Sequence, residues 1–182
     1  MPYITNHKQK FDDLEHHLTN LDQLKRQANG GNSILFSYPP IEEDLYVNKA
    51  KELFEDRACF IDISKLFVEY IDIEGWDSFK DYYLEFKMTP HLVFKSKDDS
   101  VDLFDIIIKK IIEASNNKKI PFLIRTGVLF GTGIDNVNIM EHKSVMYLKQ
   151  PLVFFYPSKY ENGNLYFLNF KASSKYRCNL VK

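Results

Sequence analysis

The run Phe122-Leu123-Ile124-Arg125-Thr126-Gly127-Val128-Leu129-Phe130-Gly131-Thr132-Gly133 leads, about one helix later, to Leu152-Val153-Phe154-Phe155-Tyr156-Pro157. The order apolar strand, glycine loop, helix, apolar strand is that of a parallel α/β unit. Apolar runs without polar alternation indicate strands covered on both faces, so helices are expected on both sides of the sheet. In such sheets ligands often sit where strands end and loops begin, which makes this stretch the first place to look for a site.

The flanking sequence extends the same pattern. Phe11, Leu14, Leu18, Leu21 and Leu24 recur at three- and four-residue steps, which predicts a helix over about 11–26, stopped by Gly30 and Gly31. Ser33 to Tyr38 reads as a strand ended by Pro39-Pro40, and Ile41 to Phe54 as a helix with Glu42, Glu43 and Asp44 in its first turn. Ala58 to Ile63 is a second strand, and Ser64 is the expected cap of the next helix, with Leu66, Phe67 and Tyr70 inward. Trp76, Phe79, Tyr83 and Phe86 mark a core-facing helix, and Ser100 is the expected cap of a helix carrying Phe104, Ile107, Ile108, Ile111 and Ile112. After the central unit, Tyr156 to Asn164 reads as an exposed loop whose Asn162-Gly163 signals a tight turn, so Leu165 to Phe170 should run back antiparallel. The tail through Tyr176-Arg177-Cys178 is expected to form a short edge element. The reading is a three-layer, mostly parallel α/β sheet with an antiparallel turn-back, in a single domain over residues 1–182.

With 182 residues, 45% hydrophobic and 27% charged, the chain is long enough to bury a core and too apolar for disorder. Fifteen Phe and eleven Tyr against one Trp supply large rings for that core, with Tyr also suited to partner surfaces. No apolar run of about eighteen residues occurs, and Met1 to Lys10 has no apolar leader pattern, so a soluble cytoplasmic protein with no membrane partner is expected. Cys59 and Cys178 match no metal spacing and read as reduced thiols, Cys59 buried. Net charge is −1 but unevenly placed: residues 41–105 hold 17 acids and 8 bases, while 143–182 hold 7 bases and one acid, Glu161. Such asymmetry can orient a partner.

Catalytic motifs fail individually. A phosphate loop needs Gly-Lys-Ser/Thr, and no Gly-Lys pair exists in the chain; the dinucleotide fingerprint fails because Asn136 stands where its third glycine belongs. The apolar run ending in Asp62 looks like the metal-holding strand of nucleotide hydrolases, but that reading needs the missing loop. No G-x-S-x-G elbow surrounds a serine, and neither His91 nor His142 has a metal-ligand partner at helical spacing. No cofactor is implied. Lys171, Lys175 and Arg177 with Tyr166 and Tyr176 make a modest basic-aromatic patch, too small for a nucleic-acid module by itself.

Four blocks together resemble the BrxB family, a component of BREX bacteriophage-exclusion systems. They are Ile34-Leu35-Phe36-Ser37-Tyr38-Pro39-Pro40-Ile41-Glu42-Glu43-Asp44, Phe122 to Val128, Pro151-Leu152-Val153-Phe154-Phe155-Tyr156-Pro157-Ser158-Lys159-Tyr160 with Gly163, and Lys175-Tyr176-Arg177. The resemblance implies a degenerate P-loop-like architecture without the Walker A motif. It also implies a cytoplasmic accessory role beside a PglZ-like alkaline-phosphatase-superfamily protein, a large ATPase and a DNA methyltransferase, and it brings no catalytic residue. The chain departs from the family pattern at Phe130-Gly131-Thr132-Gly133-Ile134, glycine-rich where members tend to have an aromatic-proline stretch. The expected function is a non-catalytic adaptor, with a nucleic-acid-contacting adaptor using the basic C-terminal region as the alternative. The candidate partner-binding residues are Tyr156, Lys159 and Tyr160 on the turn, Lys175, Tyr176 and Arg177 in the tail, and Arg125 after the central strand.

Overall fold

A computed structural model describes residues 3–96 and 101–182, with side chains described from His7 onward. The helices are α1 (Tyr3–Thr19), α2 (Leu21–Gln27), α3 (Glu43–Phe54), α4 (Ile63–Glu74), α5 (Trp76–Phe86), α6 (His91–Phe94), α7 (Leu103–Asn116), α8 (Asn136–Met140) and α9 (Lys143–Met146). The strands are β1 (Ser33–Tyr38), β2 (Ala58–Asp62), β3 (Ile120–Ile124), β4 (Leu152–Glu161), β5 (Asn164–Phe167), β6 (Lys171–Ser173) and β7 (Cys178–Val181). Five strands pair in the order β2-β3-β4-β1-β7, every pairing parallel. β5 and β6 add an antiparallel extension to the far half of β4.

Alternation along the strands splits the interior into two apolar layers. Ile34 and Phe36 of β1, Phe122 of β3, and Val153 and Phe155 of β4 face α1, α2 and α3, where they meet Phe11, Leu14, Tyr46 and Phe54. Leu35, Leu123 and Phe154, in register across three strands, face the opposite way onto α4 to α9. Much of the aromatic content is used here: Phe36 stacks on Phe155 with centroids 4.7 Å apart, and Phe155 touches Phe122 at 5.8 Å. The expected three-layer parallel α/β architecture is the one observed.

Local chemistry sets several boundaries differently from the sequence reading. The expected single helix over 11–26 is two helices, the first starting eight residues earlier. It breaks because the Asn20 side chain donates to the His16 carbonyl at 2.8 Å, competing with the helix ladder. Asp62, not Ser64, caps α4, accepting from the Ser64 and Lys65 backbone amides. Ser100 lies outside the described residues, and Asp102 caps α7 through the Asp105 amide. The expected helix of the central unit is a 3₁₀ turn, Thr126–Leu129, followed by two short helices, α8 and α9. Trp76 is 63% exposed, so only part of the α5 aromatic stripe reaches the core. Cys59 is half-buried, while Cys178 is a buried free thiol whose pKa burial pushes up to about 12.

The antiparallel turn-back is present, with Asn162 and Gly163 both at positive φ between paired Glu161 and Asn164. That geometry is the two-residue hairpin turn expected of Asn-Gly. At the opposite edge of the sheet, Asn32 ties the entries of β1 and β4 together by donating to the carbonyls of Leu148 and Gln150. Its neighbour Gly31 passes so close to the backbone leading into β7 that a Cβ would fall within the Arg177 carbonyl. Gly31→Ala is therefore expected to destabilise the chain by about 1–3 kcal/mol through overpacking. Gly30→Ala, at positive φ but in open space, should cost only about 1–2 kcal/mol of backbone strain. Urea denaturation of both variants measures the difference, and equal stability of Gly31→Ala and the parent would contradict the packing.

Candidate functional site

Because the five core strands are parallel, their carboxyl ends share one edge, the usual location of ligands in open α/β sheets. That edge is divided into two electrostatically distinct halves. At the ends of β2 and β3, Arg125 adopts a left-handed conformation with φ 56° and aims its guanidinium back across the edge. It bonds Asp44 at 2.9 Å and approaches Asp62 at 3.5 Å and Glu43 at 3.8 Å. The hydrogen bond to Asp44, with the neighbouring carboxylates, raises the Arg125 pKa further. Glu43 also accepts from the Tyr38 hydroxyl at 2.7 Å, and burial together with that carboxylate drives the Tyr38 pKa upward. The segment after β1, where a strand–loop–helix unit would cradle phosphate, is Pro39-Pro40-Ile41-Glu42-Glu43. Two prolines lack N–H donors and the acids repel anions, so this loop is unsuited to a nucleotide phosphate.

The glycine loop is likewise satisfied from within. Thr132 Oγ1 accepts from the Ile134 amide, and Lys95 Nζ bonds the Gly133 carbonyl and Asn138 Oδ1. Gly133, at positive φ, lies where a Cβ would meet His91 at 2.6 Å, so its role is turning and packing against α6. The loop does present Phe130, 49% exposed, edge-to-face with the 63% exposed Phe170 at 5.3 Å.

The other half, at the ends of β4, β1 and β7, is basic. Lys10 of α1 donates to the Ser37 carbonyl at 3.1 Å, and Lys182 and Lys175 lie over the Tyr160 ring at 4.1 and 4.9 Å. Lys175 also donates to the Tyr160 hydroxyl at 3.1 Å, a bond that lowers the phenol pKa. Lys159 pairs with Glu161 at 3.1 Å and sits over Tyr166 at 5.4 Å.

Of the seven candidate residues, the fold brings Lys159, Tyr160 and Lys175 together and separates the rest. Tyr156 is a correction: only 4% exposed, it bonds Ser173 at 2.6 Å and stacks on Phe167, and burial pushes its pKa up to about 12. The expected loop is strand through Glu161 because β5 supplies an antiparallel partner, so Tyr156 keeps its inward alternation beside Phe154. Arg177 turns away from Lys175 to Met146 and Glu141, with exposed Tyr176 beside it at 5.3 Å. Arg125 belongs to the acidic half. Sequence reasoning missed Lys10 and Lys182. Lys10 precedes Leu14 and Leu18 by whole turns on the apolar stripe, a signal readable once α1 is extended past Phe11.

Among the described residues, no group of three or more His, Cys, Asp or Glu is placed to hold a metal ion. No helix of the described residues is long and apolar enough to cross a membrane. Arg125→Met should lower stability by about 1 kcal/mol, since partly exposed pairs contribute about 0.2–1 kcal/mol each, and the loss should shrink in about 1 M NaCl. Arg125→Gly removes the same charge but relieves the left-handed strain, so it should be about 1 kcal/mol less damaging than Arg125→Met. Salt-resolved denaturation curves test both statements, and a loss unchanged by salt would refute the ion-pair account.

No protein-family model matches the chain, and the searches of curated proteins and of solved structures likewise return no significant match.

Proposed function

We propose that the chain is a non-catalytic assembly subunit of a prokaryotic BREX anti-phage system, working in the cytoplasm and binding a PglZ-like protein. The resemblance of its four sequence blocks to the BrxB family motivates the system. The observation that carries the assembly role is the exposed Phe130–Phe170 pair, with half-exposed Val128 beside it in the glycine loop. Rigid rings held on tight turns, with ion-paired Lys171 and Asp135 nearby, have the composition of an interface anchor rather than a solvated loop. The glycine-rich departure from the family pattern lies in this loop, so the aromatic contact would be specific to this chain and its own partner.

The edge where α/β enzymes usually act supports the same reading. The carboxylates of its acidic half are engaged by Arg125, and its glycine loop bonds within the protein. Co-expression with the PglZ-like protein of the same host, followed by size exclusion, is the direct test. Co-elution is expected, and Phe130→Ala with Phe170→Ala should weaken it by about 2 kcal/mol or more, the scale of an aromatic hot spot. Separate elution of two folded proteins at micromolar concentration would count against the proposal.

A further inference from the structure

The basic half of the carboxyl edge carries an open cleft of about 340 Å³, lined by Lys10, Lys159 and Lys182 with Ser37, Ser158 and Tyr160. No Asp or Glu of the described residues is among its lining residues. Lys10 is the unusual member: it is only 8% exposed, and its ammonium donates to the Ser37 carbonyl and lies over the Tyr46 ring at 5.3 Å. Glu42 acts on it electrostatically, but no ion pair joins Lys10 to a carboxylate of the described residues. A buried cation whose only opposite charge, Glu42, stands too far for an ion pair is costly to fold around, and that cost falls when an anion enters beside it. The burial also lowers the Lys10 pKa.

The two serines do not fill the need. Their hydroxyls bond one another at 2.9 Å, and Ser158 also donates to the Tyr156 carbonyl, so the remaining donors toward the cleft are the N–H groups of Lys10 and Lys182. Lys182 forms the rim over the Tyr160 ring, and Lys175 donates to the hydroxyl of that ring. The volume lies at the small end of small-molecule sites, and the opening is at the carboxyl ends of the central strands where such sites form.

We propose that this cleft binds a small molecule bearing a phosphate monoester. Two ammonium groups suit a doubly charged oxyanion, with Lys10 as the buried contact, Lys182 at the rim and the Tyr160 ring as one wall, while Lys159 is held by Glu161. The inference does not rest on the assembly reading, since it concerns the isolated chain.

Calorimetric titration of the isolated protein with inorganic phosphate and with phenyl phosphate, at constant ionic strength set by chloride, tests it. One saturable site per chain is expected. Lys10→Met and Lys182→Gln should each weaken binding by about tenfold or more, the loss of one charge-assisted contact. Lys80→Gln on α5, removing an exposed charge elsewhere, should leave affinity unchanged. Lys182→Gln lies at an exposed position, so it decides the matter if Lys10→Met fails to fold. Absence of saturable binding up to about 10 mM phosphate overturns the proposal. So does parent-like affinity in the folded variants, or a single-stranded oligonucleotide that displaces phosphate and binds Lys10→Met as well as the parent.

Discussion

Both faces of β1 are buried, and the rest of the structure follows from that constraint. Ile34, Leu35 and Phe36 are inaccessible to water, while β4 and β7 take the hydrogen-bonding edges of the strand. A strand enclosed on four sides needs a helical layer on each face, so α1 to α3 must cover one and α4 to α9 the other. The stacked rings of Phe36 and Phe155 hold the β1–β4 register, and Asn32 secures the entry to both strands. The carboxyl ends of five parallel strands are thereby gathered at one edge.

At that edge the two halves receive opposite charge from different parts of the chain. Acids come from the start of α3 and the end of β2, and are drawn together around Arg125. Lysines come from α1, the β4 hairpin and the C-terminal strand, and line a cleft. The uneven distribution of acids and bases along the sequence is thus partly neutralised within the fold at Arg125, and around Lys10 the one opposing charge, Glu42, forms no ion pair with it. Cation–ring contacts hold Lys175 and Lys182 against Tyr160, so the basic side is ordered by packing as well as by charge.

The apolar glycine loop has a separate use of its rigidity. Gly133 packs on α6, and the loop's polar atoms bond within the protein, which leaves Phe130 projecting from a stiff turn toward Phe170 on the β5–β6 connection. A rigid aromatic pair loses little conformational entropy on docking. The proposed assembly surface and the proposed anion site therefore occupy different loops of the same edge.

The positions of the central strands, the proline stop after β1 and the Asn162-Gly163 turn were determined by local chemistry and were legible in the residues alone. Apolar runs such as Phe122-Leu123-Ile124 and Leu152 to Phe155 were enough to place a doubly covered parallel sheet. Other features depended on contacts between distant segments. Tyr156 became core because β5 returned to pair with the end of β4, and one lysine of the Lys175-Tyr176-Arg177 block parted from its arginine because Arg177 met Met146 and Glu141. Lys10 and Lys182 are 172 positions apart in the chain, and only the insertion of β1 between β4 and β7, with α1 laid across it, puts both on one cleft. Periodicity reports which way a side chain faces, but the partner it faces is set by which strands become neighbours, and that is a property of the whole sheet.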